Sequence, residues 1–264
     1  MPDTSRPDPA RIYAALLGAA DTFAADRDEA ARLTVICPDL PALAAENRAF
    51  LDRVVTWAAG EGIGQFLDLG AGFLADCPSV YGLARKVVPR ARVVYVDSDP
   101  FVAYMAAMRM RDSGAADVAF TEADLTRPAA ALRNPALTAV IDPADPVCVI
   151  ATLVLGSMSL GRARRAVAGY ARRLAPGSVV AITTVHVSDP DLAGRLAAAY
   201  GGEWANHGPG DIAKMLRGLD LIPPGVTGAY GWRAGWNAHQ LQPRDAHVLA
   251  AVARKPLPGR RPRR

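Results

Sequence analysis

Two acidic residues and two glycines, each placed where a buried strand would end, are the residues of this sequence best suited to chemistry. Residues 65–72 read Gln-Phe-Leu-Asp-Leu-Gly-Ala-Gly, and residues 93–99 read Val-Val-Tyr-Val-Asp-Ser-Asp. Short apolar runs of this kind are typical of strands in a parallel sheet. Gly70 and Gly72 allow the backbone to approach a ligand closely, and Asp97, 25 residues after Gly72, can accept hydrogen bonds from two ribose hydroxyls. The pattern predicts a binding site for a cofactor that contains adenosine.

The glycine spacing alone leaves two classes of cofactor open. Residues 70–75 fit the form Gly-x-Gly-x-x-Ala, which is also used to bind nicotinamide dinucleotides. Asp68 separates the classes, because a carboxylate beside the turn would repel a pyrophosphate and attract the ammonium group of S-adenosylmethionine. A structural alternative is that Asp68 only caps the turn. The residues favour S-adenosylmethionine over a nicotinamide cofactor.

The composition predicts one α/β core with a helical extension. The chain has 264 residues, of which 51% are hydrophobic, enough for one full core but cramped for two large domains. The formal net charge is +4, but Lys255 and four arginines at 260–264 form an acid-free tail, and without these five charges residues 1–254 carry −1. A nearly neutral body argues against nucleic acid as a partner, and the tail is expected to be a solvated, disordered end.

Cysteine usage and hydropathy indicate a cytoplasmic protein. Cys37, Cys77 and Cys148 are widely spaced and lack metal-type pairing, so reduced interior thiols are expected. The histidines likewise show no ligand spacing, and we predict no metal site. No stretch approaches the roughly 18 apolar residues of a membrane span. We expect neither a signal peptide nor a membrane partner.

The first quarter of the chain has helical periodicity. Asp8 followed by Pro9 is typical of a helix N-cap and first turn. Further helices are expected over 24–36 and 42–59, with two prolines breaking the pattern between them. These three helices predict a helical cover in front of the first strand.

From residue 65 onwards, strands and helices alternate, which is the signature of a doubly wound, mostly parallel sheet. The last two strands follow a different pattern, and the final one is expected to be antiparallel. Trp204, Trp232 and Trp236 either line an aromatic acceptor pocket or pack in the core. The predicted strands are 65–69, 92–97, 117–121, 146–152, 178–184, 219–222 and 246–253, and the predicted helices are 78–88, 99–112, 160–174, 189–200 and 210–218.

Further motifs extend over nearly the whole chain. They include Pro7-Asp8-Pro9-Ala10-Arg11-Ile12-Tyr13, Phe23-Ala24-Ala25-Asp26-Arg27, Glu46-Asn47-Arg48-Ala49-Phe50-Leu51, Ala123-Asp124-Leu125, Leu174-Ala175-Pro176-Gly177-Ser178 and Gly218-Leu219-Asp220-Leu221-Ile222. Together with the two strand-end motifs, their order resembles a class I S-adenosylmethionine-dependent methyltransferase. More narrowly, it resembles the actinobacterial S-adenosyl methyltransferase family, once catalogued as a domain of unknown function.

The resemblance implies a seven-stranded, Rossmann-like sheet that binds the cofactor at the carboxyl ends of the first, second and fourth strands. On this basis we divide the chain into a helical N-terminal cover (1–62), an S-adenosylmethionine-binding methyltransferase domain (63–254) and a basic tail (255–264). Asp124 either presents its carboxylate to the adenine edge or caps the following turn. The implied strand-end contacts with the cofactor are Asp68, Gly70, Ala71, Gly72, Asp97, Ser98, Ala123, Asp124 and Leu125.

Helical residues are also implied at the site. The family that this chain resembles places its N-terminal helices over the pocket, and these helices would contain Arg11, Tyr13 and Arg48. An arginine fork suits the free carboxylate of S-adenosylmethionine. The alternative is that either arginine is a solvated charge on its helix.

The chain also departs from the family pattern. Ala14, Ala19, Ala20 and Thr22 stand where the family has an Asp and most of a Gly-Gly-Lys-Asp-Asn run, Gly156-Ser157 replaces a His-Phe pair, and Thr183-Thr184 replaces a Ser-His pair. These changes leave the glycine and ribose positions intact but remove polar groups that would orient the substrate or the methionine end. His186 is the nearest remaining candidate for a catalytic base, and a structural histidine is the alternative.

The expected function is transfer of a methyl group to a small-molecule acceptor by in-line displacement. Two alternatives remain open. One is a catalytically degenerate protein that binds S-adenosylmethionine or its demethylated product as a sensor or partner subunit. The other is an NAD(P)-dependent oxidoreductase, although we find no Tyr-Lys or His-type catalytic pair for that chemistry.

Overall fold

The computed structural model describes residues 4–20, 22–72, 79–113, 115–201, 204–234 and 245–259. The helices of this part are α1 Pro9–Leu16, α2 Ala24–Ile36, α3 Leu40–Gly60, α4 Val80–Val87, α5 Pro100–Ser113, α6 Pro128–Ala131, α7 Pro135–Thr138, α8 Leu160–Arg173, α9 Pro190–Ala199 and α10 Pro209–Met215, with short 3-10 helices at Val154–Ser157 and Ala229–Gly231. The strands are β1 Gln65–Leu69, β2 Arg92–Asp97, β3 Val118–Glu122, β4 Cys148–Thr152, β5 Val179–Val187, β6 Asp220–Leu221, β7 Thr227–Gly228 and β8 Ala246–Arg254.

The strands form one twisted sheet in the order β3-β2-β1-β4-β5-β8-β6. The first five strands are parallel, and β8 is antiparallel to both β5 and β6. This confirms the predicted doubly wound α/β fold and the antiparallel final strand. The predicted number of seven matches the seven strands on this path, but an eighth strand, the two-residue β7, also pairs with β8.

Most element boundaries lie close to the predicted ones, and the exceptions have physical causes. Pro41 lies in the first turn of α3 instead of preceding the helix, because a proline at that position loses no helical hydrogen bond. β5 runs on to Val187 because all nine of its residues pair with β8. The sequence pattern missed α6 and α7, each of four residues, since one turn of helix has no periodicity to detect. Pro78, the predicted start of α4, lies outside the described residues.

The start of α1 is set by its first residues, as predicted. The Asp8 carboxylate accepts the N–H of Ala10 at 2.9 Å, and Pro9 occupies the first turn. Such a cap satisfies backbone donors that the helix itself leaves unpaired. The cap fixes where the helical cover begins.

Two apolar layers enclose the sheet. On one face, Phe50 and Val54 of α3 belong to the same buried cluster as Phe66 of β1. On the other face, Leu67 of β1 lies in a cluster with Tyr170 of α8. Alternate residues of β1 therefore enter opposite layers, as expected for a central parallel strand. The N-terminal helices thus share a core with the sheet, and the division at residue 62 stays a prediction.

Trp232 packs in the core against aromatic rings of α3. Trp232 is fully buried and lies 5.4 Å from the ring of Phe50 and 5.6 Å from that of Trp57, so the core-packing interpretation holds for this tryptophan. Trp236 lies outside the described residues.

Lys255, which we assigned to the tail, donates its backbone N–H to the carbonyl of Ser178 at 2.7 Å, because the chain continues past β8 alongside β5. Disorder of the rest of the tail stays a prediction.

Candidate functional site

The turn after β1 is shaped by two glycines. Gly70 and Gly72 have φ angles of 67° and 64°, a left-handed conformation that strains residues with a Cβ atom. The N–H groups of Gly70 and Ala71 donate to the carbonyl of Val96 at 2.8 and 3.1 Å, which ties the turn to β2. A Cβ atom on Gly70 would lie 2.4 Å from Cγ2 of Val154, in the loop after β4. Position 70 therefore requires glycine for both conformation and space.

The carboxylate of Asp97 joins the turns after β1 and β2. Its Oδ2 accepts the N–H of Gly72 at 2.9 Å, and its Oδ1 accepts the N–H of Asp99 at 3.0 Å. The Asp97 carbonyl accepts the N–H of Ala123 at 2.9 Å, which brings in the turn after β3, and Ser98 beside it is exposed. A carboxylate has about four lone-pair positions. Two backbone bonds therefore leave capacity for the hydroxyls of a ribose.

Asp68 supplies a buried carboxyl group at the end of β1, where it is 6% exposed. Burial raises the pKa of Asp68 from 3.8 to about 7, while the guanidinium of Arg48 lowers it and the carboxylate of Asp97 raises it. Arg48 also forms an ion pair with Asp52 at 3.0 Å, one turn further along α3. A cation bound beside Asp68 would favour its ionised form. The glycine turn, Asp68 and Asp97 therefore fit a cofactor with an ammonium group at one end and a ribose in the middle.

Arg11 has a partner that the sequence did not reveal. Its Nε lies 2.9 Å from Oδ2 of Asp26, and its Nη2 donates to the carbonyl of Arg6 at 2.7 Å. Arg11 is 3% exposed and Asp26 is fully buried. The Asp26 carboxylate also accepts the N–H of Asp8. This buried ion pair and its additional hydrogen bonds hold α1 against α2. Arg11 is therefore not a solvated charge, and its Nε and Nη2 already have partners within the protein.

Tyr13 takes part in a partly buried set of hydrogen bonds. Its hydroxyl donates to the carbonyl of Ala44 at 3.1 Å and accepts Nδ2 of Asn47 at 2.9 Å. Oδ1 of Asn47 accepts the hydroxyl of Thr183 at 2.6 Å, and that hydroxyl accepts the N–H of Leu153 at 2.9 Å. The helical cover is thereby connected to the end of β4 and to the middle of β5.

We did not predict Asn47 or Thr183 as site residues. Asn47 lies on the buried stripe of α3, one turn before Phe50. A polar residue on a core-facing position needs a hydrogen-bond partner, and this is the signal that marks it. Nothing in the sequence identifies Thr183 as that partner, because the two residues are 136 positions apart.

Asp124 caps a turn, which is one of its two predicted roles. Its Oδ1 accepts the N–H of Thr126 at 2.8 Å and the Thr126 hydroxyl at 2.7 Å. The hydrogen bond from that hydroxyl is the main reason that the pKa of Asp124 is lowered. Ala123 and Leu125 flank it after β3. The contact of Asp124 with adenine stays a prediction.

His186 lies near the end of β5, beyond the last residue that pairs with β4. Its Nδ1 lies 3.1 Å from Oδ1 of Asn206. Asn206 also accepts the N–H of Val187 at 2.9 Å and donates Nδ2 to the Val187 carbonyl at 2.8 Å. Asn206 was not predicted, because only the three-dimensional fold brings it to β5.

The segment after α9 also covers the loop that follows β4. The N–H of Ala205 donates to the carbonyl of Gly156 at 2.7 Å. A Cβ atom on Gly156 would lie 3.9 Å from the indole of Trp204. His207 is buried, with Nε2 3.0 Å from the carbonyl of Met158. Trp204 therefore packs beside Gly156, on the side where a side chain at that position would extend.

In the part of the chain that the structure describes, no group of three or more His, Cys, Asp or Glu side chains could hold a metal ion. None of its helices is long and apolar enough to span a membrane. Cys37 and Cys148 are free and buried, and burial raises the pKa of both thiols. They fit the predicted interior thiols, whereas Cys77 lies outside the described residues.

Solved structures with the same architecture include two that are also similar in sequence. One, a putative methyltransferase from Thermobifida fusca YX, is 34% identical, with a TM-score of 0.87 and coverage of 97% of both chains. A duf574 family protein from Streptomyces avermitilis is 28% identical, with a TM-score of 0.85 and coverage of 96% of this chain and 99% of the other. The magnesium protoporphyrin IX methyltransferase of Synechocystis PCC 6803, solved with bound SAH, shares the fold at 14% identity and a TM-score of 0.55, with 92% of each chain covered.

No curated protein matches the sequence significantly. A family model described as S-adenosyl methyltransferase matches residues 2–256. The chain therefore belongs to the S-adenosyl methyltransferase family.

Proposed function

We propose that the protein transfers a methyl group from S-adenosylmethionine to a small-molecule acceptor. The observation that supports this best is the pair of carboxylates at neighbouring strand ends, Asp68 on β1 and Asp97 on β2, on either side of a glycine turn. An ammonium group suits the buried Asp68, and a ribose suits the partly satisfied Asp97. A pyrophosphate would be repelled by Asp68, which counts against the dinucleotide alternative.

The remaining cofactor contacts follow from their places along the same edge. We assign the backbone of Gly70, Ala71 and Gly72 to the methionine part of the cofactor. Arg48 acts on the charge of Asp68, and we assign its guanidinium to the carboxylate of the methionine part.

The adenine end is assigned to the turns after β2 and β3. Ser98, Ala123, Asp124 and Leu125 lie there. Oδ1 of Asp124 caps the turn, and we assign Oδ2, which also lies 3.8 Å from Nε of Arg127, to the exocyclic amine of adenine. Arg11 and Tyr13 support the pocket from α1 through Asp26 and Asn47.

The bound cofactor supplies a reactive sulfonium methyl group. The contribution of the chain is to align the acceptor with that methyl group and to exclude water. An acceptor with an O–H or N–H group also needs a base. Because Nδ2 of Asn206 donates to Val187, its Oδ1 faces His186, and Nδ1 of a neutral His186 donates to it. Nε2 is then the basic nitrogen, and we propose that it receives the acceptor proton.

A non-catalytic role is the second candidate, and the loop after β4 favours it. Gly156-Ser157 stands where the family pattern has a His-Phe pair, so the imidazole that could orient an acceptor is replaced by a glycine packed beside Trp204. In this alternative the protein binds S-adenosylmethionine or its demethylated product and acts as a sensor or partner subunit. Cytoplasmic location and the lack of a nucleic-acid or membrane partner stay predictions in both cases.

Isothermal titration with S-adenosylmethionine, its demethylated product and NADH tests the proposal. We expect micromolar binding of the first two and none of NADH. Binding of NADH alone would contradict the assignment of the site. An acceptor screen that follows formation of the demethylated product then separates the two candidates, because only an enzyme forms that product when an acceptor is added.

A further inference from the structure

A chain of hydrogen bonds, buried at its centre, crosses from the helical cover to the edge of the sheet where the parallel strands end. It runs from Tyr13 of α1 through Asn47 of α3 to Thr183 of β5 and ends at the N–H of Leu153. Asn47 is 2% exposed and Thr183 is fully buried. Because water cannot replace the partners in the buried Asn47–Thr183 hydrogen bond, its loss leaves buried polar groups unpaired.

The last member of this chain has an unusual backbone conformation. Leu153 has a φ angle of 62°, the left-handed region in which a residue with a branched side chain is strained. Its N–H is held by both the hydroxyl and the carbonyl of Thr183, at 2.9 and 3.1 Å. Such a conformation persists only where its surroundings hold it. The Thr183 hydroxyl does so, together with the Thr183 carbonyl and the N–H of Gly156, which donates to the Leu153 carbonyl at 3.0 Å.

The conformation of Leu153 determines where the next residue lies. Val154 packs on Gly70 so closely that a Cβ atom there would be 2.4 Å from Cγ2 of Val154. Gly70 begins the turn that we assign to the methionine part of the cofactor. A shift of Leu153 would therefore move the wall that limits this turn.

We infer that Asn47 and Thr183 are positioning residues for S-adenosylmethionine. Through Leu153 they set the place of Val154 against the glycine turn, and so the width of the cofactor pocket between β1 and β4. This inference rests on the proposed cofactor site. It adds two residues, neither of which needs to touch the cofactor.

Neighbouring threonines of β5 provide a matched pair of variants. Thr183 and Thr184 are both fully buried, but the Thr184 hydroxyl has no hydrogen-bond partner among the described residues. Thr183→Val should weaken binding of the demethylated cofactor, SAH, by about fivefold or more. Thr184→Val should change it by less than about twofold, and Thr183→Ser, which keeps the hydroxyl, should restore most of the affinity.

Titration calorimetry with SAH and thermal unfolding of each variant provide the test. Equal affinities of Thr183→Val and the wild-type protein would overturn the inference alone. Absence of SAH binding by the wild-type protein would overturn the proposed function and this inference with it. Equal loss in Thr183→Val and Thr184→Val would also overturn it, because a general packing defect would then be sufficient.

A double-mutant cycle tests whether the two residues act together. Asn47→Leu should lower SAH affinity in the same direction as Thr183→Val, and it also serves if Thr183→Val does not fold. The double variant should lose no more than the weaker-binding single variant, because the contact is already broken. Additive losses would show that the residues act separately. The amide resonance of Leu153 should shift in both single variants and stay unchanged in Thr184→Val.

Discussion

The tips of β1 and β2 and the tips of β4 and β5 contribute to the same edge but are held in different ways. At β1 and β2, Asp97 is bonded to the backbone of turns that follow its own and the neighbouring strand. At β4 and β5, Thr183 and His186 are held by side chains from α3 and from the segment after α9. The first arrangement depends on local turns, and the second depends on how distant elements pack. We infer that the ends of β1 and β2 recognise the cofactor, and that the ends of β4 and β5 adjust the shape of its site.

The contact between the two pairs of tips is tested by Gly70→Ala. Both Gly70 and Gly72 have positive φ angles, but only a Cβ atom at Gly70 would collide with Val154, the nearest atom at Gly72 being 3.7 Å away. Gly72→Ala should lower the free energy of unfolding by about 1 kcal/mol, and Gly70→Ala by about 2 kcal/mol or more. Urea denaturation measures both. Equal values would mean that Val154 does not limit the turn.

Removal of the ribose acceptor tests the β1–β2 pair. Asp97→Ala should weaken SAH binding by more than about tenfold, or about 1.4 kcal/mol, because the ribose hydroxyls lose a charged acceptor. Glu122→Ala is the matched control, since Glu122 is an exposed carboxylate at the end of β3, in register with Asp97 at the end of β2. Calorimetry should show that the control binds like the wild-type protein. Similar affinities for both variants would contradict the position of the ribose.

The pH dependence of binding tests Asp68. Its pKa of about 7, against 3.8 ordinarily, means that the folded protein retains a proton that the unfolded chain releases. The stabilisation that comes from retaining this proton is fully present below about pH 4, and it is lost as the pH rises through 7.

A bound ammonium group favours the ionised carboxylate, so SAH affinity should increase from about pH 6 to about pH 7.5, by at most tenfold per pH unit. Calorimetry at several pH values measures the slope. Asp68→Asn should remove this dependence as well as lower the affinity. An equally steep slope in that variant would assign the titration to another group.

A small effect on cofactor binding is expected at His186, in contrast to Thr183 on the same strand. His186→Ala should leave SAH affinity within about twofold of the wild-type value, because His186 contacts Asn206 and lies beyond the part of β5 that pairs with β4. Once an acceptor is known, the same variant should slow methyl transfer. Calorimetry followed by a product assay separates these effects, and a large loss of SAH affinity would place His186 at the cofactor instead.

These differences also explain what the sequence could predict. Asp68, Gly70 and Asp97 were predictable as candidates because each lies at or just after the end of a short apolar strand, and strand ends in a parallel sheet meet at one edge. Asn47 and Thr183 were not, because their contact joins elements 136 residues apart. The buried partner of Arg11 was also missed, since a charged residue near a helix start has many possible partners. Local patterns therefore predict the turns, whereas side-chain contacts between elements require the fold.

A crystal structure with bound SAH would test the central claim most directly. We expect both ribose hydroxyls on the Asp97 carboxylate, the ammonium group beside Asp68, and Val154 still packed against Gly70. A ligand at this edge that left Asp97 without a ribose contact, or an amino-acid end that pointed away from Asp68, would contradict the account.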